Sequence, residues 1–296
     1  MIAVFGPTGS GKTAVARALL DRGEGEVVSA DSAALYRDLP VLTAAPAYPA
    51  RLVGIFELSH AASVGEYQRL AHDAVDEIVA SGRTAIVAGG TGLYLRAALA
   101  TIELPPAPGP GARERWSAAY DALGPEQTHG ILRSRDAAAA ARVHANDRRR
   151  VVRALELAEA GSSLAPAGDR LWADDVRQPT LLVGLRLDDD AELERRIRRR
   201  TLEMVERGVA GEAARAWSQP LSVTARKILG LEAFATTTPE EAIPAVVSAT
   251  LKLARYQRKW SRRLPGVVTL DANRHPEELA DEIVALAGAR ERLPRR

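Results

Sequence analysis

Eight residues near the start of the chain, Gly6-Pro7-Thr8-Gly9-Ser10-Gly11-Lys12-Thr13, fit the spacing G-x-x-x-x-G-K-[ST]. Glycines at these positions let backbone N–H groups turn inward without Cβ clashes, and a helix starting behind them adds positive partial charge. Lys12 brings a point charge, and the Thr13 hydroxyl can ligate Mg²⁺. The pattern describes a cradle for two linked phosphates; the loop is common to ATP-binding proteins but does not by itself name ATP as the ligand. Asp31 is the next candidate. It follows a short apolar run, and a carboxylate at a strand's end can act as a general base, bind a metal or cap the next turn. Gly89-Gly90-Thr91-Gly92 ends a third apolar run. A P-loop ATPase often carries an acid at such a point. Its absence argues against ATP hydrolysis and for close contact between a substrate and Thr91 or the neighbouring backbone.

These residues need elements to hold them. Ile2–Phe5, Val27–Ala30 and Thr84–Ala88 read as buried strands, and Ala14–Leu20, Ser63–Ser81 and Leu93–Leu99 as helices. Ser63 followed by Glu66 is a capping-box pattern. Residues 33–58, rich in Pro and Ala, read as a loop over the site. The Pro- and Gly-rich stretch at 104–111 is a linker-like break. Helices are then expected at Ala112–Leu123, Pro125–Ser134 and Asp147–Ala160. A strand at Pro179–Leu185, helical segments at Asp188–Trp217 and Ala242–Leu264, a strand at Val267–Asp271 and a helix at Pro276–Ala287 complete the chain. The expected architecture is α/β: a P-loop NTPase-like parallel sheet flanked by helices, formed by residues 1–102 and 179–296, with an all-helical insertion at 103–178.

The chain has 296 residues, 46% of them hydrophobic and 26% charged, with 40 basic against 38 acidic residues. A net charge of +2 does not by itself demand a nucleic-acid partner, so clustering must make that case. Clusters exist. Arg142, Arg148, Arg149, Arg150 and Arg153 lie in the insertion, and Arg195, Arg196, Arg198, Arg199 and Arg200 on one later helix, where some are expected to be merely solvated. Arg226 and Lys227 precede a glycine turn. In the last long helix Lys252, Arg255, Lys259 and Arg262 form a basic stripe, and Leu253, Tyr256, Trp260 and Leu264 an apolar one. The absence of cysteine excludes disulfides and thiol catalysis. With no signal-like segment and no apolar run of about 18 residues, a cytoplasmic, non-membrane protein is expected.

In this order and spacing, GPTGSGKT at Gly6–Thr13, SADS at Ser29–Ser32 with Tyr36 beyond it, GGTGLY at Gly89–Tyr94, LPP at 104–106, HANDRRRVVRALE at His144–Glu156, RTLEMVERG at Arg200–Gly208 and the Lys227–Gly230 turn resemble the bacterial tRNA dimethylallyltransferase family, the IPP transferases. The resemblance implies transfer of a dimethylallyl group from dimethylallyl diphosphate to the exocyclic amine of the adenosine 3′-adjacent to the anticodon, with Mg²⁺ as cofactor and the protein acting as a monomer. It implies catalysis by Asp31 as general base and by Thr91. Diphosphate binding falls to the loop and to Arg226 or Lys227. Contacts to the tRNA anticodon arm fall to Asp31, Ser32, Ala33, Ala34 and Thr91, and in the insertion to Arg113, Arg149, Arg150, Val151, Val152 and Arg153. The family pattern is departed from at Ala34, Ala45, Ala50, Arg51 and Lys259. Prenyl transfer to free AMP, ADP or ATP, a P-loop kinase of a small metabolite, and an inactive RNA-binding relative are the alternatives. The arginine-bearing insertion favours tRNA over a free nucleotide.

Overall fold

The computed structural model describes residues 1–23, 25–102, 106, 108–164 and 175–291. The chain packs as two units, 1–102 with 171–296 and 103–170. The larger unit is built on a six-stranded, all-parallel sheet in the order β3-β2-β4-β1-β5-β6. β1 (Ile2–Phe5) is buried along its whole length, as expected for a central parallel strand with covered faces. It pairs with β4 (Ala85–Gly89) and β5 (Leu181–Arg186). β2 (Glu26–Ser29) lies on the far side of β4, followed by the two-residue edge strand β3 (Ala50–Arg51). β6 (Val268–Asp271) forms the other edge. β3 is a strand within residues expected to form only a loop. It is too short for alternation to reveal, and it forms where the chain passes the open edge of β2.

Helices α1 (Lys12–Asp21), α2 (Val64–Ala80) and α3 (Gly92–Leu99) follow β1, β3 and β4. The smaller unit holds α4 (Ala112–Leu123), α5 (Pro125–Arg135), the short α6 (Ala137–Ala140) and α7 (Arg148–Glu159) around a core of Tyr120, Leu132, Val143, Val151 and Leu155. After β5 the larger unit continues with α8 (Asp190–Glu206), α9 (Val209–Trp217), a 3₁₀ turn at Ala225–Lys227, α10 (Leu231–Thr236), α11 (Pro239–Ser261) and, beyond β6, α12 (Pro276–Glu291). The aliphatic side chains of β1, β5, α1 and α12 form one core, each fully buried Val, Leu or Ile contributing about 1.5–3 kcal/mol.

Several boundaries differ from the sequence reading. The helical region expected at 188–217 is two helices that meet at Gly208. α11 begins three residues earlier than expected, where Thr238 and Glu241 form a complete capping box and Pro239 supplies a preset φ. At Ser63 only half a box forms: the Glu66 N–H donates to Ser63 Oγ, but the Glu66 carboxylate is on His60 Nε2 at 2.8 Å. Residues 175–178, expected in the insertion, pack with the larger unit, where Arg177 pairs with Asp76 and donates its backbone N–H to Leu99 O. The linker stretch at 104–111 lies partly outside the described residues.

Candidate active site

The phosphate loop, Asp31 and the Gly-Gly-Thr run all stand at the carboxyl ends of adjacent strands, β1, β2 and β4, where ligands bind in open α/β sheets. Gly9 and Gly11 have φ of 84° and 85°, the left-handed region that favours glycine, and the loop then passes into α1. Lys12 folds back over its own loop, its ammonium donating to Pro7 O at 2.8 Å. Burial pushes the Lys12 ammonium down to about 8; Asp31 opposes the shift, and Arg200 adds to it. Ser10 is buried, and its hydroxyl has no partner among the described residues. A buried hydroxyl without a partner costs about 1–3 kcal/mol unless a ligand satisfies it.

Asp31 lines a pocket together with Lys12, Thr13, Ser29 and Ala34, and Thr43, Ala44, Pro46, Tyr48 and Ala50 also belong to its wall. The wall therefore combines ionic groups with apolar side chains. Asp31 Oδ1 accepts the Ala33 N–H at 3.0 Å, which fixes the carboxylate and leaves its second oxygen for chemistry. The wall is held from outside. The Glu212 carboxylate, largely buried, accepts the Val41 and Leu42 N–H groups at 3.0 and 2.8 Å. This contact sits beside Ala44, which has a φ of 50°. Thr91 is the N-cap of α3, yet its side chain makes no capping bond. Its own N–H reaches Ala30 O at 3.4 Å, so Thr91 is tied directly to the residue before Asp31.

The Gly-Gly-Thr-Gly run has a packing role that the sequence reading did not find. A Cβ at Gly90 would lie 2.7 Å from Gln257 Nε2, and one at Gly92 would lie 2.3 Å from the Trp260 ring. Gln257 Oε1 in turn accepts the Thr8 N–H at 2.8 Å. α11 thus locks the phosphate loop to the end of β4. The apolar stripe expected on α11 is corrected in part. Trp260 packs at Gly92 and Leu264 is buried, whereas Leu253 and Tyr256 are exposed, and the buried face of the helix runs through Val247, Thr250, Ala254 and Gln257. The expected stripe follows the larger apolar residues, whereas the face that packs on the loop needs small residues and one amide. Lys252, Arg255, Lys259 and Arg262 are exposed, as a basic stripe requires.

Arg226 and Lys227, expected at the diphosphate, are exposed on the 3₁₀ turn, with the Arg226 guanidinium 4.8 Å above the Trp217 ring. Among the described residues no hydrogen bond or ion pair joins either to the phosphate loop. The cation within electrostatic reach of Lys12 and Asp31 is Arg200 instead, a member of the run whose residues looked interchangeable in sequence.

In the helical unit the segment expected to contact RNA divides in two. Val151 and Val152 are buried in that unit's core, so their side chains are not available to a ligand. Arg113 and Arg153 both pair with Glu156, at 2.8 and 2.9 Å. Burial alone would raise the Glu156 carboxyl, but the two guanidinium groups together hold it below its ordinary value. Arg149 and Arg150 are exposed, and among the described residues nothing pairs with their guanidinium groups.

The donor set around Thr13 suits a magnesium ion that arrives with its ligand. Among the described residues no cluster of three or more His, Asp or Glu side chains could hold a metal unaided. A hydroxyl and a carboxylate next to a phosphate cradle match the way Mg²⁺ is usually bound, through substrate phosphates and water. Among the described residues no helix is long and apolar enough to cross a membrane.

The family model described as IPP transferase matches residues 34–264. The chain is 38% identical to the tRNA dimethylallyltransferase of Salinispora tropica over 92% of this chain and 88% of that protein. Its fold matches that of the tRNA isopentenylpyrophosphate transferase of Bacillus halodurans with a TM-score of 0.69 and 28% identity, covering 97% of this chain and 95% of that one. At 21% identity the fold is also shared with a eukaryotic dimethylallyltransferase acting on tRNA, with a TM-score of 0.78 over all of this chain and 81% of that one.

Proposed function

The chain belongs to the IPP transferase family, and from that premise we propose that it transfers a dimethylallyl group from dimethylallyl diphosphate to the exocyclic amine of the adenosine 3′-adjacent to the anticodon of tRNA. The carrying observation is the mixed lining of one pocket, in which Lys12, Thr13 and Asp31 share the wall with Pro46, Tyr48 and Ala50. Such a pocket suits a ligand with a charged diphosphate head and a short apolar tail.

The chemistry asks three things of the protein. The diphosphate must be held, which falls to the loop N–H groups, Lys12 and the Ser10 hydroxyl. An exocyclic aromatic amine is a weak nucleophile, so a base within reach of its proton helps; the second oxygen of Asp31 would serve as that base. As the nitrogen–carbon bond forms, the carbon–oxygen bond to diphosphate breaks, its electron pair stays on the diphosphate oxygen, and the amine proton passes to Asp31. Charge growing on the leaving group is met by fixed donors that need no reorganisation. Thr13 would hold Mg²⁺, which when bound supplies further neutralisation of the diphosphate. Thr91, whose N–H reaches Ala30 O, would hydrogen-bond the adenine.

Feeding the protein dimethylallyl diphosphate labelled in the prenyl group, with tRNA, AMP, ADP and ATP as separate acceptors, tests the reading. Label in tRNA alone is expected. Label in a free nucleotide, or ATP-dependent phosphorylation without use of the prenyl donor, would replace this reading with another.

A further inference from the structure

Among the described residues, the non-glycine positions with left-handed backbone are Asp38, Ala44 and Leu52, with φ of 69°, 50° and 62°. They span the stretch that brings Thr43, Ala44, Pro46, Tyr48 and Ala50 to the pocket. Such a backbone persists only where its surroundings over-determine it. Part of that support is local. Residues 39–45 close a tight turn in which the N–H groups of Thr43, Ala44 and Ala45 donate to Leu39 O, Val41 O and Pro40 O at 3.0, 3.1 and 3.0 Å. Thr43 Oγ1 adds a bond to Leu39 O at 2.8 Å.

A turn of this kind leaves its first N–H groups without partners inside it. Pro40 has no N–H, so those of Val41 and Leu42 remain. Leu39, in the capping position, has no side-chain oxygen to offer them. Glu212 takes that role from 170 positions along the chain. One of its oxygens accepts the Val41 N–H at 3.0 Å and the other the Leu42 N–H at 2.8 Å. Glu212 is only 6% exposed, and it forms no ion pair among the described residues. A buried carboxylate without a countercharge is costly, and two N–H donors offset that cost only while they stay in place. The position of Glu212 is fixed in turn by the first turn of α9, where its N–H donates to Gly208 O at 3.1 Å. From the other side, Leu42 is seated at the start of α10, its Cδ1 lying 3.2 Å from where a side chain at Gly230 would begin.

Resting on the prenyl-transfer reading above, we infer that Glu212 is a positioning residue that fixes the apolar part of the pocket wall, and that this fixed wall restricts the donor to a short prenyl tail. Glu212 does not line the pocket; it acts through Val41 and Leu42 on Thr43, Ala44 and Pro46, which do. In that reading the diphosphate is held by the phosphate loop, so the head and the tail of the donor rest on separate supports. Loss of the clamp loosens the grip on the tail and leaves the grip on the head. A wall that holds the tail equally before and during the reaction acts on KM more than on kcat.

The test compares wild type with Glu212→Gln, Glu212→Asp and Ile283→Ala. Gln keeps the size but sets an amide N–H against one of the two backbone donors, and Asp is a methylene too short to meet both. Ile283, buried on α12 and not part of the pocket lining, controls for loss of stability alone. The readouts are dimethylallyl diphosphate KM and kcat with tRNA, the inhibition constant of geranyl diphosphate, inorganic pyrophosphate affinity by calorimetry, and thermal melting. Tail preference is the ratio of the geranyl diphosphate inhibition constant to the dimethylallyl diphosphate KM. Glu212→Gln is expected to raise that KM about 10-fold and narrow the tail preference about 10-fold, with kcat within about threefold and pyrophosphate affinity within about twofold of wild type. Ile283→Ala should lower the melting temperature and leave the preference unchanged. Should Glu212→Gln fail to fold, Glu212→Asp carries the test, with a narrowing of at least about fivefold expected. The inference is overturned by a folded Glu212 variant whose KM and tail preference stay within about twofold of wild type. A fall in pyrophosphate affinity that matches the rise in KM, or an equal change of preference in Ile283→Ala, overturns it too, while transfer by wild type keeps the prenyl reading. Wild type that transfers no prenyl group to tRNA overturns that reading and the inference with it.

Discussion

Lys12 is a cation that folding removes from water before its ligand arrives, and its titration should report that. Its ammonium is pushed down to about 8 by burial, against an ordinary value of 10.5. Between those values the folded state carries fewer protons on Lys12 than the unfolded state, so this group's contribution to stability rises with pH across that window. Ligand affinity runs the other way. Above about pH 8 the free protein must take up a proton to bind a diphosphate, so pyrophosphate affinity should fall with rising pH, and Lys12→Met should remove that part of the dependence. Calorimetry from pH 6.5 to 9.5 on both proteins checks this; parallel curves would show that Lys12 does not meet the ligand. Asp31 makes a second prediction at the same scale. Asparagine keeps the oxygen that accepts the Ala33 N–H, so Asp31→Asn preserves the turn while removing the base. It should lower kcat by about 10²–10⁴ and leave tRNA affinity within about twofold. A kcat near wild type would place the base elsewhere.

At the scale of elements, strands, glycine loop and most helices were legible because their signals are local: short apolar runs, caps and left-handed glycines. What was not legible depends on elements far apart in sequence. Gly90 and Gly92 read as substrate-facing because nothing near them in sequence shows that Gln257 and Trp260 occupy the space. Arg200 could not be told from its neighbours, because only the packing of α8 on Gly9 selects it. Arg226 and Lys227 read as ligands of the diphosphate because two cations before a glycine turn look available, yet the turn itself sets Arg226 over Trp217. A prediction follows for α11. Gly92→Ala places a methyl against the Trp260 ring, where it must shift the helix that holds Thr8. It should cost about 1–3 kcal/mol of stability and raise the donor KM, and urea unfolding with donor kinetics would check both. An unchanged donor KM would mean that α11 does not steady the loop.

At the scale of the whole molecule, the all-parallel sheet carries the proposed phosphate cradle and the proposed base, and the helical unit displays arginines. A net charge of +2 concealed this, because the ion pairs of Arg113, Arg148 and Arg153 are used inside the helical unit, whereas the side chains of Arg149 and Arg150 have no ion pair among the described residues. The sequence reading treated the segment as one contact surface; a helix turns every residue by about 100°, so alternate parts of it face core and solvent. If Arg149 and Arg150 meet phosphates, replacing both with Ala should weaken tRNA binding and reduce the slope of log K against log salt by about 1 to 2, with affinity for pyrophosphate unchanged. An unaltered slope would remove these residues from the RNA interface. The central claim concerns the whole site: its phosphate loop steadies a leaving diphosphate while carbon moves to RNA. Dimethylallyl diphosphate carrying one label in the prenyl carbon and a second in the phosphorus, incubated with tRNA, tests it most directly. The account expects carbon label in tRNA and phosphorus label in free diphosphate, in equal amounts. Phosphorus label on any acceptor, or release of single phosphate as the primary product, would contradict it.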